Sequence, residues 1–504
     1  MEINIKAKSI ILFQHTLLSS AERRIINMKV KSSEYLNDTK PVLKKLLGQL
    51  LKEYPYASIL AVDSTSANYT VNKNTTNMGE DELWCIRGFV VKVYDGQSYG
   101  EYSFNEISEE KLEDIIISVR STMKNLKKAI TDLNLCQYQI LEDEPCVLCE
   151  STDYMISPED LGDEEILNRL TQIKDECLAF DEKVINAIAM FEYRIYHKLF
   201  LSKNRDLEQN VMYATGGLVV VTKKGQELKT AMKGYSNLGG AEILDKLQKG
   251  IQETGKTALD LLSSEPITPG EYDCICSPEV TGMIAHEAFG HGVEMDMFVK
   301  DRALAKSYVG KYVASPILNM HDGASLNAQN EVATYFFDDD GVLSKDTIII
   351  KNGILQSGIS DAQSAMALGT VPTGNGRRES YKRKAYTRMT NTYFEPGKDK
   401  LKDMIASIDY GFYLENPSSG MEDPKNWGIQ LMVSVAREIK DGKFTGKIFS
   451  PIVMSGYVPD LLKSITMMSD ESELCGVGMC GKGYKEWVIV SDGGPYIKAR
   501  IRLG

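Results

Sequence analysis

The sequence has no long apolar run. Its most apolar stretches, such as GGLVVV at Gly216–Val221, fall far short of the ~20 residues a helix needs to cross a bilayer, so no membrane role is expected. A secretion signal is also lacking. SIILF (Ser9–Phe13) is broken by Gln14 and His15, no small-residue cleavage pattern stands out, and Met28, followed by KVKSSEYL, offers an alternative start. Cysteine is sparse and unpatterned: nine residues, an odd number with no framework of spacings, which suits a reducing compartment and makes the cytoplasm the expected location. Excess positive charge is missing as well. The formal net charge is −12, which argues against a nucleic-acid-binding surface. Histidine is rare, and two of the five fall within IAHEAFGHGVEMD, Ile284–Asp296.

What is present is ordinary globular composition, 43% hydrophobic and 25% charged over 504 residues, enough for two domains with separate cores. Helical spacing from Pro41 to Tyr54 predicts an amphipathic helix. ASILAVDSTSANYTV and WCIRGFVVKVYDGQSYGEYSF predict strands and a hairpin turning at DGQ. Two helices are expected between Asp153 and Ala187, then a strand pair in VMYATGGLVVVTKKGQ and a long helix in AEILDKLQKGIQETGKTALDLLSSEP. Pro266, Pro269 and Gly270 punctuate the chain there. Beyond them EYDCICSPE reads as a strand and HEAFGH as a short helix. Strand-and-turn units follow: TYFFDDDGVL, TIIIKNGILQSG, QLMVSVAREIKDGKFTG and WVIVSDGGPYIKARIRL. The expected fold class is α+β in two domains. Residues 28–264 form an N-terminal α/β-type domain with helices packed on a sheet, and residues 265–504 a mostly antiparallel β domain carrying the histidine helix. Residues 1–27 are an N-terminal extension.

Two pattern matches fail on context. GIQETGKT (Gly250–Thr257) fits a phosphate loop letter for letter, but Ile243, Leu247, Ile251, Ala258 and Leu262 keep a helical beat straight through it. GVGMCG (Gly476–Gly481) fits a dinucleotide fingerprint but leaves no room for the helix, second strand and ribose-binding acid that the fingerprint requires. The stretch from Arg377 to Arg388 holds six Lys or Arg with Tyr381 and Tyr386 among them. It reads as a nucleic-acid patch, a solvated strand and loop, or, through Arg377 and Arg378, a bidentate clamp on a peptide carboxylate.

Zinc peptidase helices space their histidines four apart, H-E-x-x-H. Here His286 and His291 are five apart, which in an ideal α-helix leaves their side chains about 140° apart. A π-bulge or an unwound turn would bring them to one face, and Gly290 and Gly292 make either distortion cheap. Two unrelated histidines on a buried helix remain the alternative.

HEAFGHGVEMD, VPTGNGRRESY (Val371–Tyr381), RMTNTY (Arg388–Tyr393) followed by PGK, and GVGMCGK (Gly476–Lys482) occur in this order. Together they resemble the TldD/PmbA family, on the TldD side, with the second half matching more strongly than the first. The tail, DGGPYIKARIRLG, departs from the family's usual ending. The resemblance implies a zinc-dependent peptidase acting on unfolded or flexible peptides, with an H-E-x-x-x-H motif. It also implies a dimer, with a second copy or with a PmbA/TldE-like paralogue lacking the metal motif. The implied Zn2+ ligands are His286, His291 and Cys480, leaving the ion's fourth position open. Glu287 is the implied general base. Glu294 and Asp296 suit acceptors for the outer N–H of a ligand histidine, or else acids on a solvated loop. His321 is a fallback ligand, and Cys475 with Cys274, Cys276 and Cys480 is an alternative closed site. A non-catalytic partner subunit, or a regulator acting on DNA gyrase-related proteins, is the rival function.

Overall fold

A computed structural model describes residues 28–80, 85–130, 138–141, 143–326, 331–484 and 486–504; the expected extension, residues 1–27, lies outside them. The architecture is α+β. In the first half, helix α1 (Glu34–Leu50) precedes strand β1 (Tyr56–Asn72), and β2 (Arg87–Tyr94) and β3 (Tyr99–Phe104) form a hairpin. Helices α2 (Leu112–Ile130) and α3 (Asp163–Leu178) come next, then the long strands β4 (Val184–Ser202), β5 (Arg205–Lys224) and β6 (Glu227–Asn237), and helix α4 (Ile243–Leu261). The strands pair in the order β6-β5-β4-β1-β2-β3 within an eight-stranded sheet.

Side chains alternate across a strand, so each strand serves two faces. One face carries Ile59, Phe89 and Leu201 beneath Leu43 and Leu46 of α1 and Ile115 of α2. Further along the same face, Phe191 and Leu218 pack beneath Leu170 of α3 and Leu247 of α4. The opposite face presents Leu60, Val62, Phe200 and Leu207, which pack against Phe337 and Tyr381 of the second half.

The second half builds an eleven-stranded sheet. Its main strands are β7 (Gly270–Cys276), β8 (Met320–Gly323), β9 (Asp346–Lys351), β10 (Asn391–Phe394), β11 (Tyr410–Asp423), β12 (Gly428–Lys440), β13 (Ile452–Tyr457), β14 (Met467–Lys482) and β15 (Glu486–Leu503). Strands β7, β11, β12, β13 and β15 pair in a ring, because β7 bonds both β11 and β15. Most pairings are antiparallel; β7–β11 and β10–β15 are parallel. Helix α5 (Pro278–Ala285) leaves β7 and packs on β15. The contact is closest at Gly282, where a β-carbon would lie 2.4 Å from the Gly493 amide nitrogen.

Several local expectations need correction. Helix α1 starts at Glu34, before Pro41, because Ser33 caps it by accepting the Leu36 N–H at 3.1 Å. His197 sits within strand β4 and bonds Asn210 through Nδ1 at 2.7 Å. DGGP is not a turn: β15 runs straight through it. TYFFDDDGVL is not a regular strand unit, with Phe337–Leu343 as its isolated bridge. It is a docking loop. Lys92 of β2 pairs with Asp340, Lys198 of β4 with Asp339, and Gln209 of β5 donates to the Phe337 carbonyl. The phosphate-loop match lies wholly inside α4.

Glu331, just before this loop, is buried against Ser236 of β6, and burial pushes its carboxyl up to about 7. The folded chain therefore keeps a proton that the unfolded chain releases from about pH 4.5 upward. Stability should fall between pH 4.5 and 7 and then level off. Glu331→Gln is expected to remove this loss, worth about 3 kcal/mol above pH 7. Thermal melts from pH 4.5 to 8 check it: parallel pH profiles for the two proteins would contradict the assignment.

Candidate metal centre

Helix α5 opens at a capped start, with Ser277 Oγ accepting the Val280 N–H at 3.4 Å and Pro278 in the first turn. Val280, Ile284 and Ala285 bury it in the core. After Ala285 the α-helix gives way to one π turn, His286–Gly290, closed by the His291 N–H on the His286 carbonyl. Phe289 absorbs the distortion at φ −127° and ψ 15°, and a 3-10 turn over His291–Val293 follows. The i→i+5 turn places residues five apart on one side of the helix. The two imidazoles meet edge to face, with centroids 5.0 Å apart.

Cys480 approaches from β14. Its Sγ lies 3.5 Å from His291 Nε2, and one donor atom from each of His286, His291 and Cys480 lies within 4.8 Å of the others. Among the described residues this is the one group of three or more His, Cys, Asp or Glu so arranged. Burial opposes a Cys480 thiolate, but the His291 and His286 imidazoles beside it hold the thiol well below its ordinary value. Two imidazole nitrogens and a sulfur with thiolate character are a donor set that zinc accepts, at ~2.0–2.3 Å per bond. Arg388, buried and missed in the sequence, donates to the Cys480 and Glu486 carbonyls and fixes the strand that delivers the sulfur.

Behind the donors stands a layer of acids. Glu294 is buried with Oε2 3.4 Å from His291 Nδ1. Although burial works against its charge, Lys482 and His291 hold its carboxylate down at about 2. Asp296 does not reach a histidine. It accepts from Lys482 Nζ at 2.7 Å, and the same ammonium donates to Glu294 at 2.9 Å and to the Thr387 carbonyl. The acid facing the other histidine is Asp492 of β15, 3.6 Å from His286 Nδ1, a buried atom with no hydrogen-bond partner. Asp492 was hidden in the DGGP stretch that reads as a turn.

Glu287 lines the same cleft, about 660 Å³ in volume, and packs on Gly420. A β-carbon at 420 would lie 2.5 Å from Glu287 Cγ, so only glycine leaves this carboxylate room. Glu422, also unforeseen, lines the cleft with both carboxyl oxygens buried and unpartnered, and burial pushes it up to about 9. Period-two alternation in PSSGMED, which puts Gly420 and Glu422 on one face of β11, was the signal available for it.

Other candidates lie elsewhere. Arg377 donates to the Met389 and Ile489 carbonyls, and Arg378 forks onto Glu101 at 2.6 and 2.8 Å. Both line a separate cavity between the halves, away from the metal cleft, and the contacts of their terminal guanidinium nitrogens are internal ones. His321 has Nδ1 on Asp346 and Nε2 on Glu395, leaving no nitrogen for a metal. Cys274 and Cys276 are core residues of β7. Cys475 Sγ lies 3.7 Å from the Gly234 carbonyl, and burial pushes its thiol up to about 12. The alternative closed four-cysteine site is not formed.

Fold and cleft together define an α+β protein whose ring of strands seats a distorted helix bearing a metal-competent N,N,S donor set. Residues 269–502 match the PmbA/TldA metallopeptidase C-terminal domain. A metalloprotease of Methanothermobacter thermautotrophicus is 30% identical over 285 residues, 56% of this chain and 61% of that protein, so the chain spans less than two thirds of this relative. A zinc metalloprotease TldD homolog of Saccharolobus solfataricus is 26% identical over 468 residues, 91% of this chain and 97% of its own. A Thermotoga maritima structure, described as a modulator of a DNA gyrase, superposes with a TM-score of 0.72 at 15% identity, covering 92% of this chain and all of the other. That last likeness speaks for the fold alone. The second half of the chain thus matches the PmbA/TldA metallopeptidase C-terminal domain, and the chain as a whole is similar to a TldD-type metalloprotease over most of its length.

No described helix is long and apolar enough to cross a membrane.

Proposed function

We propose that the protein is a zinc-dependent peptidase of the H-E-x-x-x-H type, acting on unfolded or flexible peptides. The observation that carries this is the convergence of His286, His291 and Cys480 in an accessible cleft that Glu287 also lines. Bound by those three side chains, zinc supplies the Lewis acidity that activates water and polarises a carbonyl. Glu287 takes a proton from the attacking water and passes it to the leaving amine. Glu294 orients His291 through Nδ1, and Lys482 keeps Glu294 ionised for that role. Strand β7 pairs with β11 only as far as Leu414, so residues 415–423 offer a strand edge beside the cleft. An extended peptide pairing there would be held by its backbone, which tolerates many sequences. The same reading includes a cytoplasmic location and assembly as a homodimer or with a PmbA/TldE-like paralogue.

Purified protein is expected to hold about one zinc per chain, and His286→Ala or His291→Ala to lose it. Chelation should stop hydrolysis of an unstructured polypeptide, and added zinc should restore it. Hydrolysis indifferent to zinc removal would refute the proposal.

A further inference from the structure

A second cavity, about 380 Å³, lies beyond the His286 side of the metal cleft. Three chain segments pass through both in the same sense. Helix α5 contributes Glu279 and Met283 to the cavity, and the turn after it contributes His286 and Glu287 to the cleft. Strand β11 gives Asn416–Ser418 to the first and Gly420–Glu422 to the second; β14 gives Val477 and Gly478, then Met479–Lys482. Asp492 lines the cavity and faces His286 at 3.6 Å, marking the junction. Cavity and cleft are successive sections of one trough, floored by the helix and walled by the two strands.

The cavity's chemistry differs from the cleft's. Met232, Leu261, Met283, Val435 and Val477 line it; of its charged residues, Lys233 and Glu279 pair with each other at 2.6 Å, and Asp492 stands at the junction facing His286. Met232 and Val477 are 59% and 42% exposed, large apolar side chains left open to water at its mouth. The thioethers of Met232 and Met283 adapt to more than one apolar shape. Met283 precedes Glu287 by four residues, a rise of about 6 Å along a helix. An extended peptide advances about 6.6 Å over two residues, and those two side chains point to the same face.

We propose that this cavity is a substrate subsite that takes a large apolar side chain, leucine or phenylalanine, two residues from the scissile bond. This rests on the peptidase reading of the adjacent centre. The trough's direction relative to the peptide is decided by which side of the scissile bond shows the preference.

The test uses end-capped peptides differing only at the second residue on either side of the cleavage point, with Leu, Phe, Asp or Lys there. The zinc-loaded wild-type protein should favour Leu and Phe over Lys by about tenfold or more in kcat/KM at one of the two positions. Val477→Asp and Met232→Asp, at exposed positions where folding tolerates change, should each collapse or invert that ratio. A ratio is insensitive to the fraction of active protein, so a merely structural defect would leave it unmoved. Equal cleavage of all peptides by the wild type, or an unchanged ratio in both variants, would overturn the subsite while leaving the peptidase reading intact. Equilibrium binding of the same peptides to the zinc-loaded Glu287→Gln protein separates the two ideas. Leu-selective binding that Val477→Asp abolishes, with no hydrolysis by the wild type, would sustain the subsite and sink the peptidase reading. Binding without side-chain selectivity would sink the subsite.

Discussion

Glu287→Gln is expected to keep about one zinc per chain and to lose about 10²–10⁴-fold in hydrolysis of an unstructured peptide, the range for removing a positioned general base. The size of the effect follows from position. Glu287 is adjacent to His286 but is not among the three converging donors. Its side chain lies along the glycine surface at Gly420, where an amide of the same shape fits. The substitution therefore removes a proton acceptor and little else. Zinc content by elemental analysis and initial rates on one peptide decide it together. Wild-type turnover in the variant would remove Glu287 from the mechanism and bring forward Glu422, another carboxyl lining the cleft.

Cys480→Ala should lower zinc affinity by more than about 100-fold and abolish cleavage, while Cys475→Ala changes neither. Loss of a directly bonded donor exceeds the ~10–100-fold typical of losing a supporting hydrogen bond. The two cysteines share strand β14 but not an environment. Cys480 lies 3.5 Å from His291 Nε2, and the neighbouring imidazoles favour its thiolate. Cys475 sits on a carbonyl and a hydroxyl, with burial keeping it a thiol. Competition with a chromogenic chelator gives the affinities directly. Full occupancy in the Cys480 variant would refute the ligand set, and His321 offers no rescue because both its nitrogens are taken by Asp346 and Glu395.

Sequence alone determined whatever depends on neighbours close along the chain. Hydrophobic periodicity placed β1, the β2–β3 hairpin and α4, and it ruled out the phosphate-loop reading because the helical beat runs through Gly250–Thr257. The five-residue histidine spacing, flanked by Gly290 and Gly292, required a non-α turn if both imidazoles were to share one metal, and the structure contains such a turn at His286–Gly290. Resemblance, not spacing, singled out Cys480, since nothing local says which cysteine of β14 faces a helix nearly 190 residues earlier.

Tertiary structure decided what depends on partners far along the chain. Arg377, Arg378 and Arg388 look like one basic surface in sequence, yet each is drawn inward by carbonyls or by Glu101. A guanidinium is buried only where fixed acceptors replace its water, and those acceptors come from other segments. TYFFDDDGVL reads as a strand-and-turn unit but became a docking loop because Lys92 and Lys198 wait on the first sheet. DGGP has turn residues but stays extended because β10 and β14 bond β15 through this stretch. That extension carries Asp492 to His286. The buried carboxyl oxygens of Glu422 and the approach of Asp492 to His286 both depend on distant segments of the chain, which no short stretch of sequence encodes.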